Sequence, residues 1–175
     1  MHKKGSMELS VNSIVILVIA VVMMGLILGF IKSKFSDISK DIIKDEPEAP
    51  DASSSEPITL SRYSMVVSPA KREAIKIKFF NTKAETINKA APVFQCKGGL
   101  AITGDFFEKN VASATQASYD GTIKVNAANK DTYLCKVCII GYIGNTEPSS
   151  SRPTNCDGSN VWYVSESKEF RVTLQ

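Results

Sequence analysis

The sequence predicts a mainly β protein: a single N-terminal apolar α-helix followed by a β-sandwich. Three observations carry that expectation. Residues 14–31 (IVILVIAVVMMGLILGFI) form an unbroken apolar run without a charge. Beyond Ile58 the apolar residues alternate with polar ones, as where Ile75, Ile77 and Phe79 flank Lys76 and Lys78, the mark of half-buried strands. All four cysteines (Cys96, Cys135, Cys138 and Cys156) lie in this alternating part.

The helix comes first. Leu9 to Ile31 spans 23 residues, about 35 Å as a helix and enough for a bilayer core of about 30 Å. The segment predicts a membrane anchor, or a helix packed in an assembly of its own kind. Ile31, Phe35, Ile38 and Ile42 continue at spacings of 4, 3 and 4, a single apolar stripe on a helix that runs on beyond the bilayer. Such a stripe needs a cover: the head, a neighbouring subunit or the lipid surface. Within the run, Gly25 and Gly29 form a GxxxG, where a second helix backbone can approach closely.

Pro47 is expected to end the helix near Asp45. Residues 46–57 (EPEAPDASSSEP) hold three prolines and three consecutive serines without a large apolar residue. They read as an extended, solvated, acidic linker. From Ile58 onward the candidate strands are 58–60, 64–68, 73–81, 91–96, 99–107, 121–127, 132–140, 161–165 and 168–175. Ser68-Pro69, Gly98-Gly99, Asp120-Gly121, the 127–131 stretch and the 144–160 loop read as the turns between them. Val111–Ala117 reads either way. The division is therefore a 1–5 leader, a 6–45 helix, a 46–57 linker and a 58–175 head, one domain of ordinary size.

The start, Lys3-Lys4-Gly5-Ser6 with Glu8 before the apolar run, resembles the class III signal of archaeal type IV pilins and archaellins. The resemblance covers about a fifth of the chain and places a small residue before the run, where a secretory signal carries one after it. It implies recognition of Lys3 and Lys4, cleavage after Gly5 and Ser6 as the mature N-terminus. Glu8 then stands third in the mature chain, where the family more often has its glutamate fifth, and Ser6 replaces the family's usual Gln. In that family the glutamate offsets a neighbouring subunit's terminal ammonium. Without a partner, Glu8 is an interfacial carboxylate in contact with water.

The head resembles an immunoglobulin-like domain of the microbial surface kind. VVSPAKREAIKIKFFNTKAETI is similar to its opening two strands, and NKDTYLC to the sixth-strand pattern ending Tyr-x-Cys, with Tyr133 as a tyrosine-corner residue. The second strand, 73–81, has no cysteine, so the usual inter-sheet disulfide is absent.

Cys135-Lys-Val-Cys138 is a CxxC, but the other two cysteines are isolated, whereas a zinc module needs a second pair. A redox pair needs a helix start in an α/β fold. Two structural disulfides in an oxidising space fit best. Residues i and i+3 of a strand lie about 10 Å apart and point to opposite faces, too far for a bridge. Cys135 and Cys138 are therefore expected not to pair with each other. Tyr133, Cys135, Val137 and Ile139 share an apolar face, and Leu134, Lys136, Cys138 and Ile140 share the other. This pattern favours Cys96–Cys135 in the core and Cys138–Cys156 stapling the long loop.

The head carries 15 Lys and Arg against 10 Asp and Glu, an excess too mild and dispersed to predict nucleic-acid binding. The single histidine is His2, so the head lacks His-based catalytic and metal sites. Nucleophile-elbow, phosphate-loop and HExxH patterns are also missing. Asp105, Glu108, Asp120 and Asp157 are carboxylates without a sequence partner. Trp162 and Tyr163 beside the long loop read as a sugar-contact patch or as aromatics closing the sandwich. The expectation is a protein without enzymatic activity, cofactor or metal. It is held at the membrane with its head outside, and its partners are the membrane and copies of itself through the helix. Its function is that of a structural subunit of an archaeal type IV pilus-like filament. The alternative is a monomeric anchor displaying an adhesive domain to surface glycans or other cell-surface proteins.

Overall fold

The structure, a computed structural model, describes residues 11–44, 46–69, 71–126, 130–157 and 161–175, and helix side chains over 13–31. The chain divides into two compact units, Met1–Asp41 and Ile42–Gln175. In the first, the apolar run forms the body of α1 (Val11–Lys44), a single helix of 34 residues and about 51 Å. It ends just short of the point set by Pro47. The stretch Ser13–Ile31 is long and apolar enough to cross a membrane, with mean hydropathy 3.2.

The second unit holds ten strands: β1 (Ile58–Leu60), β2 (Ser64–Val67), β3 (Arg72–Phe80), β4 (Ile87–Cys96), β5 (Ala101–Asp105), β6 (Lys109–Val111), β7 (Gln116–Asn126), β8 (Thr132–Ile143), β9 (Tyr163–Val164) and β10 (Lys168–Leu174). They form a four-stranded sheet in the order β1-β3-β7-β5 and a larger sheet in the order β2-β10-β8-β4-β6, with β9 paired to β8. The first order is that of A-B-E-D in an immunoglobulin-type sandwich, and β10-β8-β4 stand as G-F-C. β2 joins β10 in parallel, Val66 opposite Thr173, while the other pairings are antiparallel.

Alternation decides what goes inside. Ile75, Ile77 and Phe79 of β3 face Val137, Ile139, Phe170 and Val172 of the opposite sheet within one core. Each fully buried side chain of this size contributes about 1.5–3 kcal/mol by leaving water. Tyr119 is buried in the same core, and its hydroxyl donates to Ala90 O at 3.0 Å. Burial holds that hydroxyl protonated well above the usual tyrosine range. Tyr133, the expected corner residue, is half-buried and packs against the core.

Three local readings change. Asp120-Gly121 is not a turn: β7 runs through it unbroken, with Gly121 opposite Ile75. A Cβ there would lie against Asp105 O and 2.5 Å from Phe106 Cδ1, so the glycine serves a close approach between strands. Val111–Ala117 resolves into the end of β6, a turn with Ala114 at φ 53°, and the start of β7. β4 begins four residues earlier than expected because a bulge between Asn88 and Ala91, with Lys89 at φ 47°, keeps the strand paired to β8.

Replacing Gly121 by Ala is expected to lower stability by about 1–3 kcal/mol through overpacking. Thermal or urea unfolding of the variant measures this, and an unchanged midpoint would restore the turn reading.

Candidate functional site: the apolar helix and the two covered faces of the head

Along α1, residues 14–31 present only apolar side chains apart from two glycines, and all are exposed. At Gly25 and Gly29 no atom lies within 4 Å of where a Cβ would stand. The GxxxG is therefore an open strip of backbone. Lys3, Lys4, Gly5, Ser6 and Glu8 lie outside the described residues, as do the side chains of Phe35, Ile38 and Ile42.

In the head, the cysteines pair as Cys96–Cys135 and Cys138–Cys156. Cys96 stands directly opposite Cys135 across the β4–β8 ladder, their Cα atoms 4.0 Å apart. This bridge lies within one sheet on its core face. Cys138 points to the opposite face of the same strand and joins Cys156, 18 residues further on. It belongs to a second apolar cluster with Ile140 and Trp162, flanked by Val93, Tyr142, Cys156 and Val164.

The loop after β8 closes over this cluster and is held by more than its disulfide. Arg152 donates from Nη1 to Glu108 Oε1 at 2.5 Å and from Nη2 to Lys89 O at 3.0 Å and to Ile140 O. Its guanidinium also lies 5.9 Å from the Trp162 ring centroid. Burial lowers its pKa from the ordinary arginine value, and Glu108 opposes that shift. Trp162 Nε1 donates to Ser150 O at 3.2 Å. Trp162 is thus a buried member of the loop's own core, and Tyr163 is half-buried beside it; the pair does not form an exposed sugar-contact patch.

The outer face of the four-stranded sheet carries the largest departure from expectation. Residues 46–57 are not a solvated spacer. Glu46, Ala49 and Ala52 are buried, and the acidic side chains dock on basic residues of β3, of the connection after β1 and, at Glu56, of β10 in the larger sheet. Glu46 Oε1 accepts from Arg62 Nε at 2.7 Å and Ser61 Oγ at 2.6 Å, and its second oxygen pairs with Arg62 Nη2. Glu48 pairs with Lys76 at 2.6 Å, Asp51 with Lys78 at 2.7 Å and Glu56 with Lys168 at 2.5 Å. Thr59 Oγ1 donates to Pro50 O at 2.5 Å, and Ala52 N to Gln116 Oε1 at 2.7 Å. The segment is a strap. Two features foreshadow it: acidic residues at 46, 48 and 51, and the Lys76/Lys78 alternation that gives β3 a basic outer face. Neither says that the two sets meet.

The isolated carboxylates are separated. Asp105 pairs with Arg72, Glu108 with Arg152 and Asp157 with Lys136, while Asp120 accepts from Ser118 Oγ. Among the described residues, no group of three or more His, Cys, Asp or Glu is placed to hold a metal. At the open edge of the sandwich, β4, β5 and the 152–154 loop enclose a cleft of about 480 Å³ lined by Pro92, Phe94, Ile102, Phe106 and Arg152, among others.

No protein-family model matches this chain, and no curated protein matches it.

Lys76 and Lys78 hold the Glu48 and Asp51 carboxyls below their ordinary values of 4.5 and 3.8. Depressed folded values stabilise the docked strap above the unfolded pKa, and that contribution is lost as pH falls through the folded ones. The Glu48→Gln, Asp51→Asn double variant is expected to unfold at a lower temperature than the wild type at pH 7. Below pH 3.8 the difference should fade, as thermal scans at several pH values would show. Replacing Cys138 and Cys156 together by Ser is expected to cost about 3 kcal/mol. It should also open the 144–160 loop to proteolysis, read by cleavage rate and urea midpoint.

Proposed function

We propose that the protein is a structural subunit of an archaeal type IV pilin-like surface filament, assembling through α1 with its head on the outside. The observation that carries this reading is the strap. A free 46–57 spacer would favour a tethered, independently swinging domain. With those residues packed on the head, Glu46 is already anchored to Arg62, two positions after α1 ends at Lys44. Residues 46–57 thus belong to the head itself and do not form a free spacer of the kind a tethered domain needs.

Four further features support the reading. The KKGS start with Glu8 resembles a class III signal. α1 continues to Lys44, past the membrane-length segment, and the sequence spacing of Ile31, Phe35, Ile38 and Ile42 calls for neighbours along it. The Gly25/Gly29 strip gives those neighbours a place to approach. The two disulfides suit a head outside the cell. The role is mechanical, and the head's carboxylates act as structural ion-pair partners rather than as catalysts.

The test is N-terminal mass spectrometry of the native protein with electron microscopy of sheared surface material. A mature chain beginning at Ser6 and found in filaments is the expected result. Gly25→Leu with Gly29→Leu is expected to abolish filaments while leaving the melting temperature of the head unchanged. A chain that keeps its first residues and is absent from sheared filaments would replace the filament with the single-anchor reading.

A further inference from the structure

We infer that the exposed edge of β5 is a self-pairing edge, through which the heads of two copies join antiparallel into one continuous eight-stranded sheet. β5 ends the four-stranded sheet, pairing only with β7 on one side. It has five residues, against three in β1, four in β2, three in β6 and two in β9, the other edge strands among the described residues. Its sequence, Ala-Ile-Thr-Gly-Asp, carries neither the lysine, the proline nor the bulge that commonly blocks edge-to-edge association. A strand left open in this way is a template for another strand.

The occupant is a second copy because the edge is complementary to itself. Antiparallel pairing centred on Thr103 sets Thr103 opposite Thr103 of the second copy, a favourable cross-strand match. Ile102 then falls opposite Gly104, and Asp105 opposite Ala101, each twice by symmetry. On the inner face, Ile102 and Gly104 stand beside Val125 and Ile123. The second copy's Ile102 would lie beside Gly104 and the Phe106 ring that folds over it, 2.7 Å from where a Gly104 Cβ would be. That covers the apolar side of the cleft formed by Phe94, Ile102 and Phe106.

The charges agree with this register. On the outer face, Thr103 stands beside Lys124, and Asp105 beside Thr122. Across the seam, Asp105 of one copy lies on the same face as Lys124 of the other, two strands away, and no like charges meet directly. Phe107, which follows the strand, is 83% exposed, the most exposed large apolar side chain among the described residues. It extends the apolar surface along the same edge. Such a contact has two-fold symmetry, whereas a filament grows by head-to-tail contacts. β5 pairing therefore joins heads of separate filaments or separate anchors, and it does not rest on the filament reading.

The experiment uses the full chain in detergent, with micelles in excess over protein. The described cysteines are all disulfide-bonded, so Thr103→Cys supplies the single free thiol, and its partner's Cβ would lie about 4.5–5.5 Å away. Thr103→Cys is expected to cross-link on mild oxidation at least tenfold faster than Val66→Cys, a control on β2 that is also exposed. In the same micelles, Thr103→Lys, which sets two lysines face to face and each beside Lys124 of its own head, is expected to remove the dimer seen by light scattering while the head keeps its β-sheet circular dichroism at the assay temperature. Cross-linking of Thr103→Cys no faster than the control overturns the proposal, as does a dimer that survives Thr103→Lys. Adding Gly25→Leu and Gly29→Leu to Thr103→Cys should leave its cross-linking intact. Loss of cross-linking there would mean that the heads meet only through their helices.

Discussion

The head is organised around the two faces of one strand. β8 pairs with β4 on one side and β10 on the other, and it takes β9 near its end. Its successive side chains feed two different cores: Cys135, Val137 and Ile139 the interior of the sandwich, and Cys138 and Ile140 the cluster beneath the long loop. Because side chains alternate strictly along a strand, a slip of one residue would exchange the two sets and misplace both disulfides at once. The bridges and the ladder therefore fix one register together. Cys96 meets Cys135 only when Phe94 stands opposite Val137, and Cys138 reaches Cys156 only when the loop returns across the outer face.

Each sheet thus acquires a cover, by different physics. Over the larger sheet the cover is apolar, with Trp162 as its centre and Arg152 pinning the loop to backbone carbonyls of β4 and β8. Over the smaller sheet the cover is the acidic strap. Most of its ion pairs are solvent-exposed on the carboxylate side, where water and salt screen the attraction. The buried contacts of Ala49 and Ala52, the Pro50 and Ala52 backbone hydrogen bonds and the enclosed Glu46–Arg62 pair hold the segment down. The outer pairs set its register along the basic row. Unpairing Glu46 would leave a carboxylate with 3% side-chain exposure uncompensated, which is why this contact, rather than the more exposed ones, anchors the strap.

The strap belongs to the head although its composition offers no apolar core of its own. A polar, proline-rich composition is usually read as slack because it lacks apolar residues for a core. Here small side chains suffice. Ala49 and Ala52 are buried, and the ammonium groups of Lys76 and Lys78 reach the flanking carboxylates of Glu48 and Asp51.

The sequence by itself determined every feature that depends on periodicity along the chain. The apolar run of 14–31 and the stop before Pro47 set α1, and the alternation in 73–80, 132–140 and 168–174 set the core strands and the faces of their cysteines. These signals are local, since a strand's two faces are written in consecutive residues. Tertiary structure decided whatever depends on two distant segments meeting. Gly121 looks like a turn residue until Phe106 and Asp105 are placed against it. Residues 46–57 look like a solvated linker until Lys76, Lys78 and Arg62 are brought onto one surface by the pairing of β3 with β1 and β7. Trp162 reads as a contact patch or as a closing aromatic until the loop that carries it is seen packed with the Cys138–Cys156 bridge. Opposite charges and small residues carry no period, so their partners become visible only when the sheets are assembled.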